Sequence, residues 1–299
     1  MVKKIWILAV GALMMAACSS DDESGITNPL QQDNSLQEYV ADEGEMQFLF
    51  EHPNEGVTRA TETAFENTDQ IGVYVTAADE ALQIGGNEVN NEPFTYNGTS
   101  WTSKRKVYWN AGKHNVYAYY PYTRKVNDVN DFSFELQEDQ STAQGFSQSD
   151  FLWAGATAVT ASTSPVRMKF GHKMSCVVVK LEKGENYTGD IPASTEVYIH
   201  STVTKAVIDL STGDVAKDDY AGTGSLRAKQ LAANQYTAIV VPQNITTRRP
   251  LVEVITGGVS YLMEGKISLK PGMRHTITVT LDKNPEKVKI DIGGEIVGW

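Results

Sequence analysis

From Tyr39 to Trp299 the chain alternates apolar and polar positions in short runs, the period that a strand imposes because successive side chains point to opposite faces. Runs rich in Val, Ile, Tyr, Phe, Thr and Trp predict strands at Met46–Glu51, Ile71–Thr76, Lys106–Trp109, Asn115–Tyr119, Phe132–Leu136, Val166–Phe170, Cys176–Leu181 and Glu196–Ser201. Further runs follow at Ala206–Asp209, Gln235–Val241, Val252–Thr256, Ser260–Ile267, His275–Leu281 and Lys287–Ile292. Clusters of Gly, Pro, Asn and Asp break them about every 8 to 12 residues. That spacing predicts an all-β chain of antiparallel sandwiches, with no helix. The Ala/Thr/Ser stretch Ala154–Ser164, ending at Pro165, reads as a seam between two sandwich domains, 60–165 and 166–299.

Two runs carry the alternation most clearly. In the first, Met46, Phe48 and Phe50 alternate with Gln47, Leu49 and Glu51, as in a strand that turns its first set toward a core. In the last, within 287–297, Val288, Ile290, Ile292 and Ile296 fall on even positions with Lys287, Lys289, Asp291, Gly293 and Glu295 between them, and Gly294 interrupts the face.

Residues 1–17 stand outside this pattern. Lys3 and Lys4 precede the apolar stretch Ile5–Ala17 of 13 residues, and Met15-Ala16-Ala17 leads to Cys18. As a helix that stretch reaches about 20 Å, short of the roughly 30 Å hydrocarbon core, so it reads as a signal peptide. Small residues before a Cys, followed by Ser19-Ser20-Asp21-Asp22-Glu23, resemble a bacterial lipobox with Met15 where Leu is usual. The resemblance implies acyl chains, palmitate among them, on Cys18 after cleavage before it, and several such chains anchor a protein firmly to a membrane. The ordinary alternative is a cleaved signal followed by an incidental cysteine.

Composition narrows the function. With 26 Lys+Arg against 37 Asp+Glu the net charge is −11, and losing Lys3 and Lys4 with the signal leaves −13. No basic cluster stands out, which argues against nucleic acid as a partner. P-loop, dinucleotide, nucleophile-elbow and His-Glu-x-x-His patterns are all missing. His52, His114, His172, His200 and His275 are spread singly, without a second His or Cys at metal-ligand spacing. His172 is the histidine to examine first, and its ordinary reading is a strand-start residue holding backbone carbonyls. Cys176, within a β-branched run, reads as core packing. No catalytic residue, metal or cofactor is therefore expected. Trp101, Trp109, Tyr117, Tyr119, Tyr120 and Tyr122 offer surfaces for stacking on a sugar, or belong to a sandwich core.

Proteolysis offers a sharper signal. Residues 18–58 carry ten Asp or Glu and no Lys or Arg, so Arg59 is the first basic residue after the signal. It sits in the turn-rich stretch 53–61, ahead of Ala60, where an arginine-specific protease would find one upstream site. Cutting there would release an acidic pro-segment, 18–59, together with the Met46–Glu51 strand. A groove missing its first strand, and a spare amphipathic strand at the other end, define β-strand addition between copies.

The chain also resembles a known family through an ordered set of segments: Thr58-Arg59-Ala60-Thr61 leading to Phe65, Asp69–Tyr74, Tyr96-Asn97-Gly98 with Trp101, Val107-Tyr108-Trp109, Val116–Tyr122, Asp150–Ala154, Val166–Ser175 and Leu269–Val279. These resemble the fimbrillins, subunits of the type V pili of Bacteroidales. The resemblance implies two tandem transthyretin-like β-sandwich domains, delivered to the outer membrane as a lipoprotein and then built into a cell-surface fimbria that supports adhesion. It also implies that a surface protease cuts after an arginine following the first strand, and that the next subunit's donor strand fills the vacancy. Carried onto this chain, the arginine is Arg59, the displaced strand holds Met46, Phe48 and Phe50, and the candidate donor runs from Val288 to Ile296. Stalk, tip and lipid-anchored roles stay open, as does a fixed place for the last strand. The other readings are a monomeric surface lipoprotein that binds glycans through aromatics and, last, an enzyme.

Overall fold

The computed structural model describes residues 44–53 and 64–299. Cys18, Arg59 and Ala60 lie outside the described residues, so the expectations attached to them are not addressed by the fold. The strands are β1 (Phe48–Glu51), β2 (Gln70–Ala77), β3 (Val89–Tyr96), β4 (Trp101–Ser103), β5 (Lys113–Tyr120) and β6 (Phe132–Glu135). After helix α1 (Ala143–Ser149) come β7 (Leu152–Thr160), β8 (Val166–Lys169), β9 (Gly171–His172), β10 (Ser175–Lys183), β11 (Glu196–Val203), β12 (Lys205–Asp209) and β13 (Asp214–Lys217). The chain continues with β14 (Thr223–Arg227), β15 (Lys229–Ala232), β16 (Gln235–Val240), β17 (Gln243–Thr256), β18 (Val259–Leu269), β19 (Met273–Leu281), β20 (Lys289–Asp291) and β21 (Ile296–Gly298).

The chain is all-β, as the alternation predicts. Its first large sheet has the order β4-β3-β2-β5-β7-β9, and the period of two sends its faces into different cores. Ile71, Val73 and Val75 of β2, with Val116, Ala118 and Tyr120 of β5, enter a smaller core that also holds Met46, Phe50, Val166, Met168 and Phe170. Their neighbours Tyr74, Tyr117 and Tyr119 enter a larger core with Phe132, Phe134 and Phe151. The larger core continues between two further sheets, β15-β16-β10-β19-β20 and β14-β11-β17-β18. Val177, Val179, Ile277 and Val279 line it from one sheet, and Val197, Ile199, Val252 and Val254 from the other.

Most pairings are antiparallel. Two are parallel: β1 with β8, and β10 with β19. A three-stranded sheet, β13-β12-β6, joins strands from the two halves of the chain.

Three local expectations need correction. The Lys106–Trp109 run forms no strand, only a bridge at Tyr108 to Glu45, because Lys104 and Arg105 bend the chain just before it. Most of the Ala154–Ser164 seam is β7, whose small side chains let it lie between β5 and β9. Among the described residues there is one α-helix, besides a 3-10 turn at Pro285–Lys287: the Thr142 side chain caps α1 by accepting from the Gly145 amide, a turn signal hidden among Gln, Gly and Ser residues. Strand pairing also carries residues 166–172 with the first half of the chain, through β8 and β9.

Candidate functional site

The structure seats β1 as the amphipathic pattern requires. Met46 and Phe50 are buried, Phe48 is half-buried, and Leu49 between them is 43% exposed. The segment is held along both sides. Its start pairs with residues 107–109, where the Met46 amide donates to the Val107 carbonyl at 2.8 Å and the Trp109 amide to that of Gly44 at 2.7 Å. The rest lies parallel to β8, where the Val166 amide donates to the Gln47 carbonyl at 2.8 Å and the Phe170 amide to that of Glu51 at 3.0 Å.

Beneath β1 lies an aromatic floor. Phe50 meets Phe94, Trp101 and Phe170 with ring centroids 5.4, 5.3 and 6.3 Å away, and Phe48 meets the edge of Phe94 at 5.3 Å. Such pairs contribute about 0.5–1.5 kcal/mol each beyond area burial. At the strand's two ends stand opposite charges: Lys106 Nζ lies 2.9 Å from Glu45 Oε2, and Arg167 Nε 3.3 Å from Glu51 Oε1.

The residues on either side of 54–63 meet. The His52 ring lies 5.0 Å from that of Phe65, which packs in turn on Trp101, Tyr120 and Phe170. Burial lowers the His52 imidazole to about 4; the Asp150 carboxylate opposes this and His172 adds to it. His52 also faces His172, whose Nδ1 is 2.9 Å from Asp150 Oδ1 and whose ring stacks on Trp299 at 4.0 Å. A carboxylate and an indole are thus among the partners of His172.

The C-terminal segment is also in use. Lys289–Asp291 pairs with Thr278–Thr280 of β19, and Ile296–Gly298 with Met273–His275. Val288, Ile290 and Ile292 are half-buried against the larger core, and a Cβ at Gly265 would collide with Ile292 Cδ1. Ile296 leaves the buried face and is 50% exposed, as are its neighbours in β21.

The other candidates resolve as structure. Tyr117, Tyr119 and Tyr120 are buried and Trp101 and Trp109 pack on the smaller core, so five of these aromatics are divided between the two cores, whereas Tyr122 is half-buried and belongs to neither. Cys176 is buried, with Sγ 3.3 Å from the Thr237 hydroxyl. Among the described residues no three His, Cys, Asp or Glu side chains gather to hold a metal ion. Lys106, Arg167, Phe94 and Trp299 were not legible as partners of the end strands. Their contacts join segments tens of residues apart, and the only local trace is the pair of glutamates bracketing the apolar triplet.

Known proteins agree with this architecture. "Putative fimbrium tip subunit Fim1C" of Bacteroides ovatus is 32% identical over 197 residues, 60% of this chain but 34% of its own length, so this chain spans about a third of that relative. The crystal structure of a "putative cell adhesion protein" from Bacteroides ovatus shares the fold with TM-score 0.70 at 21% identity, over 87% of this chain and 99% of that one. Another so described, from Bacteroides uniformis, gives TM-score 0.65 at 18% identity, over 86% and 98%. The family model described as fimbrillin-like matches residues 58–299, and the chain belongs to the fimbrillin-like family.

Proposed function

We propose that this chain is a structural subunit of a surface fimbria, assembled by strand exchange at the β1 slot and supporting adhesion rather than catalysis. The observation that carries the reading is β1 itself, a short strand whose apolar face completes a core otherwise built by residues 64 onward. Three large apolar side chains, at about 1.5–3 kcal/mol each, make the vacated slot costly by several kcal/mol. While β1 is tethered, its effective concentration, on the order of millimolar for a short linker, keeps competing strands out.

Cleavage after Arg59 by an arginine-specific surface protease ends that advantage. The contact between His52 and Phe65 favours this site, because a cut between them severs the covalent link without breaking any of the packing described above. Before the cut, acyl chains on Cys18 hold the subunit at the outer membrane. Afterwards another pilus subunit supplies the missing strand.

Of the stalk, tip and anchor positions, a terminal one is best supported. Val288, Ile290 and Ile292 are spent on the chain's own core, and a relative bears the name of a tip subunit. The two domains, 60–165 and 166–299, remain a proposal, with residues 166–172 paired to the first.

The test is brief treatment of the purified protein with an arginine-specific protease, followed by amino-terminal sequencing and unboiled electrophoresis with a partner subunit. A new terminus at Ala60 with SDS-resistant ladders is expected, and Arg59→Ala should give neither. Ladders that form equally well with Arg59→Ala contradict the reading.

A further inference from the structure

The outer face of the sheet β14-β11-β17-β18 carries a chain of hydrogen bonds that the β1 slot does not use. Alternation turns Val197 and Ile199 of β11 into the larger core and leaves Tyr198 and His200 on the opposite face. His200 pairs with Ser225 of β14 on one side, and Glu253 of β17 approaches from the other. Its Nδ1 lies 2.7 Å from Ser225 Oγ and its Nε2 2.9 Å from Glu253 Oε2, while the Tyr198 ring lies parallel to the imidazole at 6.2 Å. A carboxylate only accepts, so Nε2 carries the proton, and the Nδ1 lone pair accepts from the Ser225 hydroxyl. The Ser260 hydroxyl donates to Glu253 Oε1 and is the main reason that this carboxyl titrates below its usual range, with burial opposing and His200 adding to it. Two backbone features build the arrangement. β11 bulges at Ser201, whose φ of +57° is left-handed, and the register with β14 shifts between His200 and Thr202, the kind of irregularity that re-aims a side chain. The Arg227 amide donates to the Glu138 carbonyl and the Arg227 carbonyl accepts from Gln140, both at the outer edge of β14, whereas the Ala228 amide turns inward to Val197. Alternation therefore sends the Ser225 amide to the outer edge too, and makes Ser225 and His200 a non-hydrogen-bonded pair, whose side chains lie closest.

We infer that Ser225 is a nucleophile for carboxylic esters, with His200 as its base and Glu253 as the residue that positions the imidazole. A hydroxyl resting on a base that a third group holds in place is the arrangement that activates a serine. As Oγ adds to the ester carbonyl carbon, its proton moves to His200 Nδ1, and the Ser225 amide offers a donor to the oxygen that gains charge. Collapse breaks the bond to the alkoxy oxygen, which leaves as the alcohol with the proton from Nδ1, and the acyl group stays on Oγ. Water then adds to that acyl group, giving a proton to Nδ1, and the acid departs as the proton returns to Oγ. Ser225 is exposed, so an ester reaches it from solvent. This face takes no part in the assembly proposed above, and the ester chemistry does not depend on it.

The test treats the full chain with a fluorophosphonate, whose phosphorus stands for the carbonyl carbon and whose fluoride leaves, and maps the adduct by peptide mass spectrometry. Ser225 should be labelled at least about a hundredfold faster than Ser268, an exposed serine whose hydroxyl donates to Asn244 rather than to a histidine. That comparison needs no variant. His200→Gln should remove the advantage and Ser225→Ala the adduct. Glu253→Gln should slow labelling by about tenfold or more with the melting temperature unchanged, and Glu253→Asp should recover part of the rate. The parent should also release p-nitrophenolate from p-nitrophenyl acetate, at a rate that falls together with the labelling in His200→Gln. Equal labelling of Ser225 and Ser268, full labelling in His200→Gln, or labelling without release of p-nitrophenolate overturns the inference.

Discussion

At the scale of single residues, Phe50 and His52 set how firmly the first strand is held. Phe50 touches four rings, those of Phe48, Phe94, Trp101 and Phe170, and truncating a buried Phe costs about 3–5 kcal/mol when the whole fold must bear the cavity. On the proposed strand-exchange reading the loss is capped, because the cut protein releases β1 instead. Phe50→Ala should therefore shorten the lifetime of the cut strand on the body by tenfold or more, measured by native mass spectrometry, while the melting temperature of the body changes little. His52 predicts an acid response. With its folded value at about 4 and an unfolded value of 6.5, the unfolded chain binds more protons between those limits. The stabilising contribution is complete above pH 6.5 and is lost as pH falls through the range down to 4. A His52→Gln variant should show a flatter melting curve against pH across that window than the parent. These residues were only half legible in sequence: alternation marks Phe50 as inward-facing, but nothing near position 52 announces Phe65, His172 or the Asp150 carboxylate.

At the scale of elements, the two ends of the chain behave differently despite similar patterns. The first strand covers a core made by other segments, whereas the last three short pieces, 288–292, 296–298 and Trp299, extend a sheet along β19. Replacing Ile290 and Ile292 together with Asp puts charges against the larger core and should detach this edge. A loss of about 2–4 kcal/mol in denaturant unfolding is expected, with peptide acceptance at the β1 slot unchanged. A coupled loss of acceptance would show that the tail supports the slot through the stack of Trp299 on His172. Strands with bulky alternating residues, such as β2, β5 and β19, could be read from the chain. Those built of small or polar residues could not. β7 presents Ala154, Ala156 and Ala158, and β3 begins Val89-Asn90-Asn91 and contains Pro93, so neither carries the hydrophobic amplitude on which the reading depends. The run at Lys106–Trp109 has that amplitude but contributes its apolar side chains from a bridge rather than a strand.

At the scale of the whole molecule, β1 is joined to the fold by pairing with β8, far along the chain, whereas β4, β13 and β15 pair with their sequence neighbours β3, β12 and β16. A net charge of −11 over the full sequence favours solubility and disfavours non-specific association between copies. The most direct measurement is hydrogen–deuterium exchange at the Val166 and Phe170 amides, whose acceptors are the carbonyls of Gln47 and Glu51. Cutting at Arg59 and washing should release residues 44–53 and leave both amides fast-exchanging. Adding a donor strand should then restore their protection. Amides that stay protected after the cut with 44–53 gone, or that stay unprotected when a subunit ladder forms, would contradict the account.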